Sequence, residues 1–328
     1  MCLSAVRRNM NKEKLKIKYM NIKIGDMGFN SVTIPTLSLG RGEPKALLIC
    51  GMHGNEISPL LVVEKLIEEI RDRKVVGEIK IVLAANSWAQ SLRIREHPLD
   101  RADLNRISPG DLQGELSQRI VAKLMEISYT ADLIVDLHAF EDMCPVIGIY
   151  MGVGSNKVKK KALEILKRIE PDLVWQLNYR NPAEANLSGA LCAVMCNKGV
   201  PSVAVEMPHH SVITGTQIDK IVRGLINMLE DEGILVGTLN SVHRAENSLK
   251  IFERQRLRAE KAGLYKSELQ LMSVVKKGDV VGTLVTLPNL KKERVISPCD
   301  GRLVIKKDMD LVSTGDIVAS IGREILGA

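Results

Sequence analysis

Short apolar runs separated by amphipathic segments make up most of the chain as far as residue 235. Five runs of six to eight residues are rich in Val, Ile and Leu and nearly continuous in apolar character: 45–50, 79–86, 131–138, 146–152 and 201–207. Strands have this composition when both of their faces are covered, because neither face then needs polar side chains. The five runs therefore predict strands in the middle of a sheet.

Apolar residues recur with helical spacing between these runs. One such segment follows Ser58-Pro59, a pair typical of an N-cap and a first helical residue. The spaced apolar positions of three segments are Val63, Leu66, Ile67 and Ile70, then Leu116, Ile120, Leu124 and Ile127, then Ile218, Ile221, Val222, Leu225 and Leu229. Alternating strands and helices predict an α/β fold with a mixed, largely parallel sheet and helices on both faces.

The pattern changes after residue 235. The segments 274–285 and 311–322 share the sequence V-x-x-G-D-x-V-x-x-[LI], offset by 37 residues, and an upstream glycine repeats as Gly263 and Gly301. Gly-Asp turns between short alternating strands are typical of hairpins. The repeat predicts a small, pseudo-symmetric β domain of the barrel-sandwich type. The predicted organisation is a basic N-terminal extension over 1–24, a main α/β domain over 25–235 and a β-rich C-terminal domain over 236–328.

Composition narrows the class of protein. The chain has 328 residues, of which 45% are hydrophobic and only 3% aromatic, so its core must be built mainly from aliphatic side chains. No apolar run approaches the roughly 18–20 residues of a membrane helix, and the N-terminus lacks the apolar stretch of a secretory signal. Six cysteines without a C-x-x-C pair are typical of reduced thiols. We therefore expect a cytoplasmic protein that does not bind membranes.

The net charge of +7 lies mainly towards the two ends of the chain. No aromatic residues interleave with the basic ones, and no nucleic-acid motif is present, so solvated termini explain the charge better than a nucleic-acid partner. The expected partner is a small anionic substrate, and a homo-oligomer is left open.

Candidate chemistry lies where three of the predicted strands end. His53 and Glu56 follow the first strand, His138 closes the run 131–138, and Glu206 lies near the end of 201–207. Ligands of open α/β sheets bind at the carboxyl ends of strands. Two imidazoles and one carboxylate form the three-ligand set of catalytic zinc sites, and Glu206 stays outside this set, free to act as a base. The alternative for each histidine alone is a hydrogen-bonded structural residue.

The segment "RIREHPLDRADLNRISPG" (93–110) is a second candidate element, with four arginines within fourteen residues. The guanidinium fork matches a carboxylate, so the segment indicates a cationic lining for an anionic substrate. A solvated loop is the alternative.

Four motifs follow one another in the main domain. They are HGNE (53–56), R-x-x-P-x-D-x-x-D-L-N-R (95–106), D-L-H (136–138) and G-x-P-x-x-x-x-E (199–206). In this order they resemble the succinylglutamate desuccinylase/aspartoacylase family of the zinc carboxypeptidase superfamily. The resemblance covers about residues 30–235 and implies that the main domain is a zinc carboxypeptidase-like hydrolase domain, followed by a β-rich domain.

The resemblance also implies a role for each matching residue. The implied ligands of one zinc ion per chain are His53, Glu56 and His138. Glu206 resembles the residue that activates water and then protonates the leaving amine, and Arg95 matches the arginine that polarises the scissile carbonyl. Asn105 and Arg106 match the pair that binds the substrate's α-carboxylate. Asp103 matches a carboxylate that orients the first ligand histidine.

One stretch departs from the family pattern. Members that act on N-acyl aspartate have a further arginine shortly before the catalytic glutamate, where this chain has only Lys198, and Arg180 lies further away. The expected function is a zinc-dependent amide hydrolase (deacylase) that removes an acyl group from an N-acyl amino acid or a similar small carboxylate-bearing amide. Specificity for a dicarboxylic amino acid is left open.

Several alternatives remain open on the sequence alone. The same site would suit a metallocarboxypeptidase acting on a peptide C-terminus, and the fold would suit a non-catalytic binding protein. His209 and His210 are the alternative candidates for the base. A lipoyl- or biotinyl-type carrier role for the C-terminal domain would need a modified lysine where this chain has Leu290.

Overall fold

The computed structural model describes residues 16–236 and 249–325. The α-helices of these ranges are α1 (Ser58–Ile70), α2 (Ser87–Leu92), α3 (Leu116–Ser128), α4 (Asn156–Ile169), α5 (Leu191–Asn197) and α6 (Gly215–Asp231). Short 3-10 helices span Leu104–Arg106 and Ala185–Gly189. The strands before residue 236 are β1 (Ile17–Met27), β2 (Asn30–Gly40), β3 (Lys45–Ile49), β4 (Glu78–Val82), β5 (Leu133–Ala139), β6 (Ile147–Tyr150), β7 (Leu173–Gln176) and β8 (Ser202–Met207).

The strands after residue 249 are β9 (Ile251–Arg258), β10 (Gly263–Ser267), β11 (Val274–Val275), β12 (Val280–Thr286), β13 (Lys291–Ile296), β14 (Gly301–Lys306), β15 (Met309–Val312) and β16 (Ile317–Glu324). They complete two sheets. A twelve-stranded sheet has the order β1-β2-β4-β3-β5-β8-β6-β7-β9-β16-β14-β11, and a four-stranded antiparallel sheet has the order β13-β12-β10-β15.

The large sheet is mixed, as predicted. Its strands β4, β3, β5 and β8 run parallel to one another. Strands β6, β7 and β9 are also mutually parallel but run opposite to β8. Helices α1, α4 and α6 pack on one face, and α3 and α5 pack on the other. The predicted α/β fold with helices on both faces and a small C-terminal sheet is therefore confirmed.

The five predicted runs form β3, β4, β5, β6 and β8, and the three predicted helical patterns form α1, α3 and α6. The start of α1 differs by one residue, because Ile57 occupies the N-cap and Ser58 is already helical. The Ser58 hydroxyl instead donates to the carbonyl of Pro208, at 2.7 Å. This bond ties the start of α1 to the end of β8, next to Glu206.

The repeated Gly-Asp turns do not form the predicted hairpins. The first turn, at Gly278-Asp279, joins β11 of the large sheet to β12 of the small sheet, and the second, at Gly315-Asp316, joins β15 of the small sheet to β16 of the large one. In each turn the aspartate accepts a hydrogen bond, at 2.8 Å, from a backbone N–H three residues earlier. The hairpin prediction was wrong because a tight turn has the same local sequence whether its strands pair with each other or with distant ones.

Strand β1 crosses the predicted boundary between the N-terminal extension and the main domain. It pairs with β2 as an antiparallel hairpin whose exposed side chains weaken the apolar pattern that would have predicted it. Residues 1–15 lie outside the described residues, and the domain boundaries stay predictions.

Two observations bear on the expected environment of the chain. The helices of 16–236 and 249–325 include none with the length and apolar character of a membrane span. The cysteines of these ranges are free thiols, namely Cys50, Cys144, Cys192, Cys196 and Cys299. Cys2 lies outside the described residues.

The packing of α6 on α4 gives a test of the fold. A Cβ atom at Gly224 would lie 2.2 Å from the carbonyl oxygen of Ile169, whereas one at Gly215 would meet open space. We expect Gly224→Ala to lower the free energy of unfolding by about 1–3 kcal/mol through overpacking. Gly215→Ala is the matched control and should leave stability unchanged or raise it by less than about 1 kcal/mol. Urea denaturation measures both, and equal effects would contradict this packing.

Candidate metal centre

A tight loop after β3 brings His53 and Glu56 to the same side. The N–H of Glu56 donates to the carbonyl of His53, at 3.3 Å, which closes a turn between them. Gly54 allows this turn to lie against α2, since a Cβ atom there would approach the backbone of Ala89 to 2.0 Å. Gly51 has a positive φ of 69°, in the left-handed region that favours glycine. The glycines that flank His53 are therefore required by the course of the loop.

The Glu56 carboxylate joins the two histidines. Its Oε1 lies 2.6 Å from Nδ1 of His53, and its Oε2 lies 2.9 Å from Nδ1 of His138. The N–H of Ala139 also donates to Oε2, at 3.0 Å. Candidate ligand atoms of the three side chains lie within 4.8 Å of one another, and all three side chains are buried. The predicted ligand set is thus assembled in one place.

Each imidazole contacts a second carboxylate through its other nitrogen. Nε2 of His53 lies 3.0 Å from Oδ1 of Asp103, and Nε2 of His138 lies 2.9 Å from Oδ2 of Asp136. Metal-bound imidazoles generally have such partners, which fix the tautomer and the ring orientation. The sequence analysis missed Asp136. Its signal was the D-x-H spacing, because residues two apart on a strand share one face.

The charges of the cluster suit a cation. Burial opposes the ionisation of Glu56, but His53 and His138 hold the pKa of its carboxyl well below the usual value. Burial likewise disfavours the charged imidazole of His138, yet Asp136 and Glu56 raise its pKa well above the usual value. A buried site that stabilises positive charge, with two imidazoles and a carboxylate facing one another, fits a divalent metal ion.

Glu206 lies beside this cluster on the neighbouring strand. It is the direct partner of His138 in the register of β5 and β8, and both side chains lie on the face covered by α3 and α5. Burial raises the pKa of the Glu206 carboxyl to about 7, whereas the nearby His138 lowers it. Among the described residues, none donates a hydrogen bond to this carboxylate. Glu206 therefore has an oxygen available for a proton.

The predicted arginine segment lies along the same cluster. Nη1 of Arg95 lies 3.3 Å from Oε1 of Glu56, and its Nη2 lies 3.0 Å from Oδ2 of Asp103. Asp103 caps the 3-10 helix that carries Asn105 and Arg106, by accepting from the N–H of Asn105 at 2.9 Å. The solvated-loop alternative does not fit a segment with these contacts.

Asn105 and Arg106 occupy different parts of the site. The side-chain amide of Asn105 lies 3.3 Å from Nε2 of His138, and its Oδ1 accepts from the N–H of Leu191 at 3.1 Å. The Arg106 guanidinium donates to the carbonyl of Asn105 at 2.8 Å and lies 3.8 Å from Asp103. Asn105 is thus fixed between two elements, while Arg106 keeps donors for a further partner.

Among the described residues, the other candidates make no ion pair with the cluster. Lys198 is exposed at the end of α5, on the side where β8 begins rather than where it ends. Arg180 is exposed in the loop after β7. His209 and His210 follow β8, but His209 bonds to Ser211, and its ring lies 3.9 Å from that of His210. Neither histidine has a hydrogen bond to the metal cluster within the described part of the chain.

Comparison with known proteins agrees with this geometry. The model of the succinylglutamate desuccinylase/aspartoacylase catalytic domain matches residues 42–231. An N-alpha-acetyl-L-2,4-diaminobutyric acid deacetylase from Halomonas elongata is 25% identical over 308 residues, which cover 92% of this chain and 88% of that protein.

Solved structures resemble the chain over nearly its whole length. A succinylglutamate desuccinylase/aspartoacylase from Rhodobacter sphaeroides has a TM-score of 0.81 at 19% identity, covering 98% of this chain and 99% of that one. The product-bound ectoine utilization protein EutE (DoeB) from Ruegeria pomeroyi has a TM-score of 0.80 at 21% identity, covering 94% and 95%. These two likenesses concern the fold.

The family match and the His-Glu-His cluster together confirm the predicted deacylase, a hydrolase of linear amides. The family model covers more than half of the chain, including His53, Glu56, His138 and Glu206. The chain belongs to the succinylglutamate desuccinylase/aspartoacylase family.

Proposed function

We propose that the protein is a zinc-dependent deacylase that hydrolyses the amide bond of a small N-acyl amino acid. The observation that carries this proposal is the buried His53–Glu56–His138 cluster with the hydrogen-bond-free carboxylate of Glu206 beside it. The similarity to an N-acetyl-diaminobutyric acid deacetylase supports an N-acyl amino acid as the substrate. The cytoplasmic location and the self-association expected from the sequence stay predictions.

His53, Glu56 and His138 would hold the zinc ion, which supplies a water of lowered pKa and polarises the amide carbonyl. With zinc bound, each imidazole would carry its proton on Nε2, facing Asp103 or Asp136, so that each Nδ1 would have a lone pair for the metal. Zinc suits this donor set of two nitrogens and one oxygen better than magnesium or calcium, which prefer oxygen ligands alone.

Glu206 moves the proton in the proposed reaction. Its carboxylate accepts a proton from the attacking water and passes it to the nitrogen of the scissile amide, which leaves as an amine. The pKa of about 7 suits both halves of this transfer, because the group can accept a proton and release it near neutral pH.

Arg95 and Arg106 bind the substrate in this proposal. Two bonds of Arg95 go to Glu56 and Asp103, and a guanidinium has five N–H donors, so donors remain for the oxygen of the scissile carbonyl. Arg106 offers its free donors to the α-carboxylate, and Asn105 completes this subsite. Removing one such oxyanion donor in other enzymes costs about 2.7–4 kcal/mol of transition-state stabilisation.

The metal assignment can be tested by elemental analysis. We expect about one zinc ion per chain, and loss of most of it in His138→Ala, because two ligands hold zinc poorly. Asp136→Asn should keep the ligands but lower zinc affinity by roughly 10–100-fold, since it disturbs the partner of His138. His210→Ala is the control and should hold zinc like the parent. Full zinc content in His138→Ala would show that the cluster is not the metal site.

The role of Glu206 can be tested by Glu206→Gln, which keeps the shape of the side chain but accepts no proton. We expect normal zinc content and a kcat lower by about 100-fold or more, because general bases contribute roughly 10²–10⁴-fold. KM should change little if Arg106 and Asn105 bind the substrate. Glu64→Gln, on the exposed side of α1, should match the parent. Near-parental turnover of zinc-loaded Glu206→Gln would show that another residue acts as the general base.

The α-carboxylate subsite can be tested by Arg106→Lys. An ammonium keeps the charge but lacks the planar fork, so kcat/KM should fall by at least about tenfold. The control is Arg101→Lys in the same segment, where the side chain is exposed and pairs with Glu96. Converting the substrate's α-carboxylate to an amide should cause a similar loss in the parent and little additional loss in Arg106→Lys. Equal turnover of acid and amide by the parent would rule out this subsite.

A further inference from the structure

The segment that follows β5 lies between the metal cluster and the C-terminal strands. We call residues 140–143 the connecting segment, and residues 50–57, between β3 and α1, the metal loop. Ala139, the last residue of β5, donates its N–H to Oε2 of Glu56, so the start of the connecting segment is fixed to a metal ligand. The next two acidic side chains, Glu141 and Asp142, reach in different directions.

Glu141 reaches the metal loop. The side-chain amide of Asn55 donates to the Glu141 carboxylate, and Oδ1 of Asn55 has no partner among the described residues. Asn55 stands between Gly54, whose backbone is intrinsically free, and the ligand Glu56. The bond that closes this turn, from the N–H of Glu56 to the carbonyl of His53, is long at 3.3 Å. Glu141 therefore restrains a loop whose own bonds hold it weakly.

Asp142 reaches the corner between β14 and β15. Nζ of Lys307 lies 3.1 Å from Oδ1 of Asp142 and 2.9 Å from Oδ2 of Asp310. The side chains of Lys307 and Asp142 are only 21% and 22% exposed. Burial raises the pKa of the Asp142 carboxyl, whereas Lys307 lowers it. Removal of one partner from an ion pair with so little exposure leaves a costly unpaired charge.

Backbone bonds fix the same corner to the end of the connecting segment. The N–H of Met143 donates to the carbonyl of Lys306, and the N–H of Lys306 donates to the carbonyl of Met143, both at 3.0 Å. The Lys306 side chain is buried, and its Nζ donates to the carbonyl of Leu269 at 3.0 Å and to Asp308 at 3.1 Å. The corner is thus firmly held within the C-terminal strands and can act as an anchor.

These contacts form a continuous series from the C-terminal strands to the metal loop. Lys307 pairs with Asp142, the neighbouring Glu141 binds Asn55, and Asn55 precedes the ligand Glu56 in the chain. Coupling between distant positions is carried by such series of packed and hydrogen-bonded groups. A displacement at the corner would therefore reach the ligands of the metal.

We propose that Lys307 is a positioning residue of the metal centre. By holding Asp142 it keeps the connecting segment in place, and Glu141 then restrains the metal loop through Asn55. This inference rests on the proposed zinc site and extends it to a residue beyond 42–231, the range that the family model matches. Retention of the metal thus depends in part on the C-terminal strands.

Zinc affinity of the full chain, measured by competition with a fluorescent zinc chelator, tests this role without turnover. Lys307→Met keeps the length of the side chain but removes its charge, and we expect zinc binding to weaken by about 3–30-fold. Lys307→Arg keeps the charge and should restore most of the affinity. Lys266→Met makes the same change at an exposed position of β10 and should match the parent.

The route through Glu141 is tested by combining substitutions. Glu141→Ala should weaken zinc binding by a factor similar to that of Lys307→Met, while Glu141→Gln keeps an acceptor for Asn55 and should retain most of the affinity. In the Glu141→Ala protein, Lys307→Met should cost less than about twofold more, because both changes remove the same restraint. Fully additive losses would show that Lys307 does not act through Glu141.

Urea denaturation of the same variants separates positioning from stability. Parental zinc affinity in a Lys307→Met protein that unfolds at lower urea would show a merely structural ion pair and would overturn the proposal. Equal losses in Lys307→Met and Lys266→Met would overturn it as well. If Lys307→Met does not fold, Asp142→Asn removes the pair from its other side and should cause the same loss of affinity.

The outcome for the parent separates this inference from the proposed function. A parent that binds no zinc would refute the metal site and this inference together. A parent that binds zinc, with Lys307→Met indistinguishable from it, would refute this inference alone. Zinc binding without hydrolysis of any N-acyl amino acid would refute the proposed deacylase, and the comparison of Lys307→Met with the parent would still decide the role of Lys307.

Discussion

The ionised carboxylate of Glu56 is the interaction on which the site depends. It is almost completely buried, and burial of an isolated carboxylate is strongly unfavourable. Both of its oxygens are therefore occupied: one by His53 and Arg95, the other by His138 and the N–H of Ala139. These contacts join the loop after β3 to the end of β5. Because the loop and the strand are held by the same charge, neither can shift without exposing an unpaired group.

The aspartates behind the two imidazoles extend this charge network. Asp103 fixes the arginine segment through Arg95 and the 3-10 helix, while Asp136 lies within β5 itself. The negative charges of Glu56, Asp103 and Asp136 exceed what the surrounding arginines offset at close range. A bound cation would balance them, which connects the stability of this region to its occupancy by metal.

The sequence predicted the centre of the molecule better than its edges. The central strands are covered on both faces, so their apolar runs are continuous, and the site residues lie at their ends, where His53, His138 and Glu206 were expected. Strand β1 was missed because its side chains alternate between solvent and partial burial. The Gly-Asp turns were recognised, but their strands pair with partners far away in sequence, which a local pattern does not encode.

Arg254 lies over the rings of Trp175 and Phe140, two residues after His138, and this position could not have been predicted from its neighbours in sequence. The segment "ERQRLR" has the alternating charges of a solvated strand, and it lies 48 residues after Glu206, beyond the predicted end of the main domain. Its position near the site follows only from the pairing of β9 with β7. Lys198, the basic residue that precedes Glu206 in sequence, is directed by the fold to the opposite end of β8.

The pairing of β9 with β7 also determines where the chain can be truncated. A protein that ended near residue 231, where the family match ends, would leave one side of β7 without hydrogen-bond partners. It would also uncover the apolar surface that Phe252, Val304 and Ile305 share with the main core. An exposed apolar strand edge of this kind favours self-association through added strands. The catalytic region is therefore the part of the chain that matches the family model, but without the C-terminal strands its sheet would have an open edge.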